Sequence, residues 1–116
     1  MKKINLHIGG QYRDFYFGLG FLGNLLESEN IQLHEIDEKI KENPFKWLPL
    51  IMYYSVSFGY IRKNEEVPFK PLEISEWVDD LGVDSQVIVS FFEAFRQSLV
   101  RNVPQEPVKE NEEKKK

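Results

Sequence analysis

A chain of 116 residues, 41% hydrophobic and 29% charged, is long enough for one hydrophobic core and too short for an enzyme with a cleft between two lobes. It has no cysteine, which excludes disulfides, thiolate metal sites and a cysteine nucleophile, and its two histidines, His7 and His34, are little material for a metal centre or a catalytic relay. A formal net charge of −4 disfavours a general role on nucleic acid or an anionic membrane. What remains is an interaction-type domain without cofactor or active site. Two Trp, five Tyr and nine Phe predict a core built on large flat side chains.

Lys2 and Lys3 are followed by no continuous apolar stretch, so the N-terminus does not read as a secretory signal. Ile4, Leu6 and Ile8 alternate with Lys3, Asn5 and His7, which is the period of a half-buried strand. Gly9-Gly10 then supplies a two-residue hairpin turn. Pairing Ile8 with Gln11 sets Phe15 opposite Ile4. Ile4, Leu6, Ile8, Phe15 and Phe17 then share one face, and Asn5, His7, Tyr12, Asp14 and Tyr16 the other. A lone hairpin is marginal, so its apolar face must lie on helices or on another chain.

Helical spacing follows. Leu19, Leu22, Leu25 and Leu26 mark one short helix, and Leu33, Ile36 and Ile40 a second that ends by Asn43-Pro44. A third starts at an Asn43 cap with Pro44 in its first position and runs to about Arg62. Pro49 bends it or resets its start. It is apolar nearly all round, which places it at the centre, and it falls short of the roughly 20 apolar residues of a membrane span. After a two-proline loop over 64–71, Ile74, Trp77, Val78 and Leu81 mark a fourth helix closed by Gly82. Asp84 is the expected cap of the fifth, with Val83 and Ile88 as a staple, and Val87, Ile88, Phe91, Phe92, Phe95 and Leu99 as its buried stripe. The reading is a mostly helical α+β domain over 1–103: an N-terminal hairpin packed on about five helices. Residues 104–116, with Pro104, Pro107 and an apolar-free lysine- and glutamate-rich end, read as a disordered tail or linker.

Motifs with chemical potential are few. Gly18-Leu19-Gly20-Phe21-Leu22-Gly23 matches the dinucleotide fingerprint, with Asp37 near the expected acidic position. The strand before it belongs to a tight antiparallel hairpin, however, and no parallel strand follows. Close packing through small residues is the better account. His34 and Glu38 share a helix face at i and i+4 without further ligands. The pairs Glu27/Glu29, Glu65/Glu66 and Asp79/Asp80 fall at helix ends and in loops, where carboxylates stay solvated. Ser55 and Ser57 lie inside the central helix and are expected to bond back to a carbonyl one turn earlier, with no base near. The open edges of a two-stranded hairpin are templates for strand addition or self-assembly, and Tyr12 and Tyr16 are of the residue type enriched at interfaces.

The segment 12–22 (YRDFYFGLGFL) resembles the hairpin-then-helix opening of tail assembly chaperones of long-tailed bacteriophages and prophages. The similarity continues through 43–54 (NPFKWLPLIMYY), the closing 91–95 (FFEAF) and the lysine-rich end. The resemblance implies a small cytoplasmic protein of the infected host that is absent from the finished virion. Members bind the tape-measure protein, keep it soluble and help recruit tail-tube protein subunits. A longer form is often made by programmed ribosomal frameshifting, and an adenine run encoding Lys114–Lys116 would suit such slippage. The expected partner-binding residues are Tyr12, Tyr16, Phe91 and Phe95, with homo-oligomer contacts as a further use of the same surfaces. The alternative from another class is a small DNA-associated regulator with a helix-turn-helix near 72–101, against which Asp79, Asp80 and Asp84 at the turn would repel phosphate.

Overall fold

The computed structural model describes residues 3–102, so the tail expected over 104–116 lies outside the described residues. Strands β1 (Lys3–Ile8) and β2 (Gln11–Tyr16) form a two-stranded antiparallel sheet, followed by α1 (Leu19–Glu29), α2 (Ile36–Glu42), α3 (Pro44–Ile61), α4 (Pro71–Leu81) and α5 (Gln86–Asn102). A short 3-10 turn, Leu33–Glu35, leads into α2. The fold is the expected mostly helical α+β arrangement. Among the described residues, no helix is long and apolar enough to cross a membrane.

The hairpin register is the one that the alternation requires, with Ile8 opposite Gln11 and Ile4 opposite Phe15. Gly9 and Gly10 both have positive φ, +65° and +85°, which the turn demands and which side chains resist. β2 runs along α3, while β1 meets α5. Ser55 and Gly59, one turn apart on α3, let the strand come close. The Ser55 hydroxyl donates to the Tyr16 carbonyl at 2.9 Å, and a Cβ on Gly59 would stand 2.7 Å from the Tyr16 ring.

The core is aromatic where strand meets helix. Phe15, Phe17, Phe21, Phe91 and Phe95 are all buried, and Phe91 packs against both Phe15 and Phe17 at ring-centre distances of 5.4 and 5.2 Å. A second cluster joins α3 to α4 through Phe69, whose ring lies 5.6 Å from Tyr60 and 5.4 Å from Trp77.

Pro49 neither breaks nor restarts α3, which is continuous from Pro44. The carbonyl that loses its bond to the proline nitrogen is that of Phe45, a residue 79% exposed, so water can satisfy it. The cap of α5 is Ser85 rather than Asp84: its hydroxyl accepts from the Ile88 amide at 3.3 Å. With Ser85 as the cap, the position just before it is Asp84, so Val83, 52% exposed, no longer stands in the staple position expected for it. Ser55 bonds across to β2 rather than back along its own helix. Ser57 is buried, and its hydroxyl oxygen has no hydrogen-bond partner among the described residues. Because an unsatisfied buried hydroxyl is costly, Ser57→Ala is expected to raise stability by about 1 kcal/mol in urea unfolding. A loss of stability would show that the hydroxyl is satisfied.

Candidate functional site

Of the four residues expected to meet a partner, the structure leaves one on the surface. Tyr12 is 71% exposed on β2, its ring edge-on to His7 at 4.8 Å. Tyr16 is a correction: it is 5% exposed, because α3 covers that end of the second hairpin face. Its ring packs on Phe58 at 6.0 Å, with Lys3 Nζ and the Arg62 guanidinium each 5.7 Å from its centre. Phe91 is fully buried between hairpin and helices and offers a partner nothing in this state. Phe95 is 2% exposed, yet it forms the floor of a surface cleft.

That cleft, of about 230 Å³, lies where α2, α3 and α5 converge. Phe92, Phe95 and Leu99 come from one stripe of α5, Ile40 from α2 and Leu48 from α3. Asp37 and Arg96, one acid and one base on exposed positions, flank it. The local sequence explains the opening. α2 is only two turns long and spends its one fully buried apolar residue, Ile36, on the core, which leaves Ile40 and Leu48 half-covered beside α5. An apolar floor with one charge of each sign beside it fits an amphipathic segment better than a polar metabolite.

Two further hollows are polar at their rims. One follows the outer edge of β2 between Tyr12, Asp14, Tyr60 and Lys63, and the other lies between the hairpin turn and α4, near His7, Glu76, Trp77 and Asp80. Asp14 sits beside the first. Its carboxylate accepts from Asn5 Nδ2 at 2.9 Å and pairs with Lys3 at 3.4 Å, and chiefly the Asn5 bond holds it below the ordinary carboxylate range.

Arg13 is the residue that sequence reasoning passed over. The register sets it on the apolar face opposite Leu6, and it is half-buried there. Its guanidinium donates to the carbonyls of Ile8 and Gly9, both at 2.9 Å, and stacks 4.1 Å from the Trp77 ring centre. It therefore pins the hairpin turn to α4. The signal was available: a cation on the inward side of a strand must find an aromatic face or carbonyls.

Within the glycine motif, close packing accounts for Gly20 but not for Gly23, which is exposed with nothing within 4 Å of an added Cβ. The hairpin preceding the motif is antiparallel, and the space a Cβ would take on Gly20 is occupied by the Phe58 ring. His34 and Glu38 are both exposed, and among the described residues no group of three His, Cys, Asp or Glu could hold a metal ion. Glu29 accepts from the Tyr54 hydroxyl at 2.6 Å, and burial together with that carboxylate pushes the Tyr54 phenol up to about 12. Glu27, Glu65, Glu66, Asp79 and Asp80 are exposed. In the region of the alternative helix-turn-helix, α5 turns its apolar stripe to the core, and the exposed positions described on its outer side, Val89, Glu93, Arg96 and Gln97, include a single base beside an acid.

The class defined by these features is a small, mostly helical domain with an N-terminal hairpin and an apolar cleft. No family model, no curated protein and no solved structure matches the chain.

Proposed function

We propose that this chain is a tail assembly chaperone of a long-tailed bacteriophage or prophage, acting in the host bacterial cytoplasm and absent from the mature virion. It binds the tape-measure protein, keeps it soluble and helps recruit tail-tube subunits. The observation that carries the reading is the apolar cleft of Ile40, Leu48, Phe92, Phe95 and Leu99, with Asp37 and Arg96 at its sides. The resemblance of segments 12–22, 43–54 and 91–95 supports it, since the last two supply Leu48, Phe92 and Phe95 to that cleft.

A long helical ruler exposes apolar faces until the tube surrounds it, and a holdase must shield them and then be displaced. A shallow cleft that accepts a few anchor residues of an amphipathic helix meets both needs. It buries enough to prevent aggregation and too little to make the complex permanent. Tyr12 on the hairpin is a second contact of the same kind, distant from the cleft in sequence and exposed.

The test is co-expression of the chain with the tape-measure product encoded beside it. The unchanged chain should hold that product in the soluble fraction. A Leu48→Gln/Leu99→Gln variant, changed only at half-buried positions, should keep its cooperative melt and bind about tenfold more weakly or worse. Equal capture by the folded variant, or equal solubility without the chain, would overturn the reading.

A further inference from the structure

We propose that β1 pairs with β1 of a second copy of this chain, antiparallel across a two-fold axis at Asn5, so that two hairpins merge into one four-stranded sheet. The inference rests on the hairpin alone and is independent of the chaperone reading.

The hairpin register decides which backbone groups are free. With Ile8 and Gln11 flanking the two-residue turn as a hydrogen-bonded pair, Leu6/Arg13 and Ile4/Phe15 are the next such pairs. The N–H and C=O of Lys3, Asn5 and His7 therefore point away from β2, and those of Tyr12, Asp14 and Tyr16 point away from β1. The Tyr16 carbonyl confirms this phase, since it receives the Ser55 hydroxyl from α3. On the β1 side nothing comparable exists: among the described residues, no backbone group of Lys3, Asn5 or His7 has a partner outside the hairpin. β1 carries no proline, bulge or inward charge of the kind that blunts a free edge.

The strand is also complementary to itself. A two-fold at Asn5 sets Asn5 opposite Asn5 of the copy, Lys3 opposite its His7 and Ile4 opposite its Leu6. All paired positions stay inside β1, whereas a two-fold at Leu6 would push Lys3 onto the turn glycine. Ile4 and Leu6 are the half-exposed apolar residues of the strand, and this register lays them on each other on the helix-facing side. On the outer side the lysine charge is already matched by Asp14, and no like charges face across the axis. Antiparallel pairing about such an axis puts the helices of both copies on one face of the joined sheet, which is a closed, isologous contact.

The chain contains no cysteine, so a single introduced thiol reports the geometry cleanly. In a hydrogen-bonded antiparallel pair the two Cα atoms lie about 5.5 Å apart, inside disulfide range. The purified Asn5→Cys chain, under mild oxidation, should form a covalent dimer about tenfold or more faster than Lys41→Cys, an exposed control on α2. Mixed Lys3→Cys and His7→Cys chains should join to each other faster than either joins to itself. The unchanged chain should sediment at twice its 13.7 kDa. Monomeric sedimentation together with Asn5→Cys linking no faster than the control would overturn the proposal. Preferential linking of Leu6→Cys chains would overturn the register.

Discussion

Phe91→Ala should be the most damaging single truncation in this chain, costing about 3–5 kcal/mol in urea unfolding with little change in m. Phe91 is fully buried, and its ring meets Phe15 of β2, Phe17 of the strand-to-helix link and Phe92 of its own helix. Removing it opens a cavity in the aromatic cluster that joins the hairpin, α1 and α5. Domains of this size are stable by roughly 5–15 kcal/mol in total, so the variant would be marginal at 37 °C. Tyr12→Ala, at a residue 71% exposed, should change stability by only about 0.5 kcal/mol. A Phe91→Ala cost below that of Tyr12→Ala would mean that the aromatic junction is not the core.

The second large effect is expected at the hairpin turn, where two adjacent glycines separate two causes. Gly9 has φ +65°, and a Cβ there would stand 2.5 Å from Trp77 Cε2. Gly10 has φ +85° with nothing within 4 Å of the added atom. Gly10→Ala should therefore cost only the left-handed backbone penalty, about 1–2 kcal/mol. Gly9→Ala carries that penalty and must also displace the indole on which Arg13 stacks, for a total of about 2–4 kcal/mol. Thermal melts of the two variants side by side read the difference. Equal melting temperatures would show that the turn does not press on α4.

Most of the fold was legible because its signals are local. Alternation from Lys3 to Ile8, the Gly9-Gly10 turn and Pro44 at the start of α3 each act within a few residues, and the register follows from them. What the sequence did not reveal is which side of an element a distant one would cover. Tyr16 alternates onto the polar hairpin face, and only the approach of α3 through Ser55 and Gly59 buries it. That pair of small residues one turn apart inside an apolar helix was the missed clue. A Tyr12→Ser/Tyr16→Ser pair consequently cannot serve as a surface probe, because its second member would damage the core. The cleft was half legible. The stripe of Phe92, Phe95 and Leu99 read as buried, but its partial opening depends on how short α2 is and where α3 crosses it.

The DNA flanking this gene tests the chaperone reading most directly. The reading predicts a very long open reading frame close downstream whose product has sustained helical apolar spacing, preceded by an adenine run at the codons for Lys114–Lys116 and an overlapping second frame. That product is the tape-measure protein to be co-expressed with the chain. A gene standing among metabolic or regulatory neighbours, with no such frame, would contradict the reading and leave the cleft without its proposed occupant.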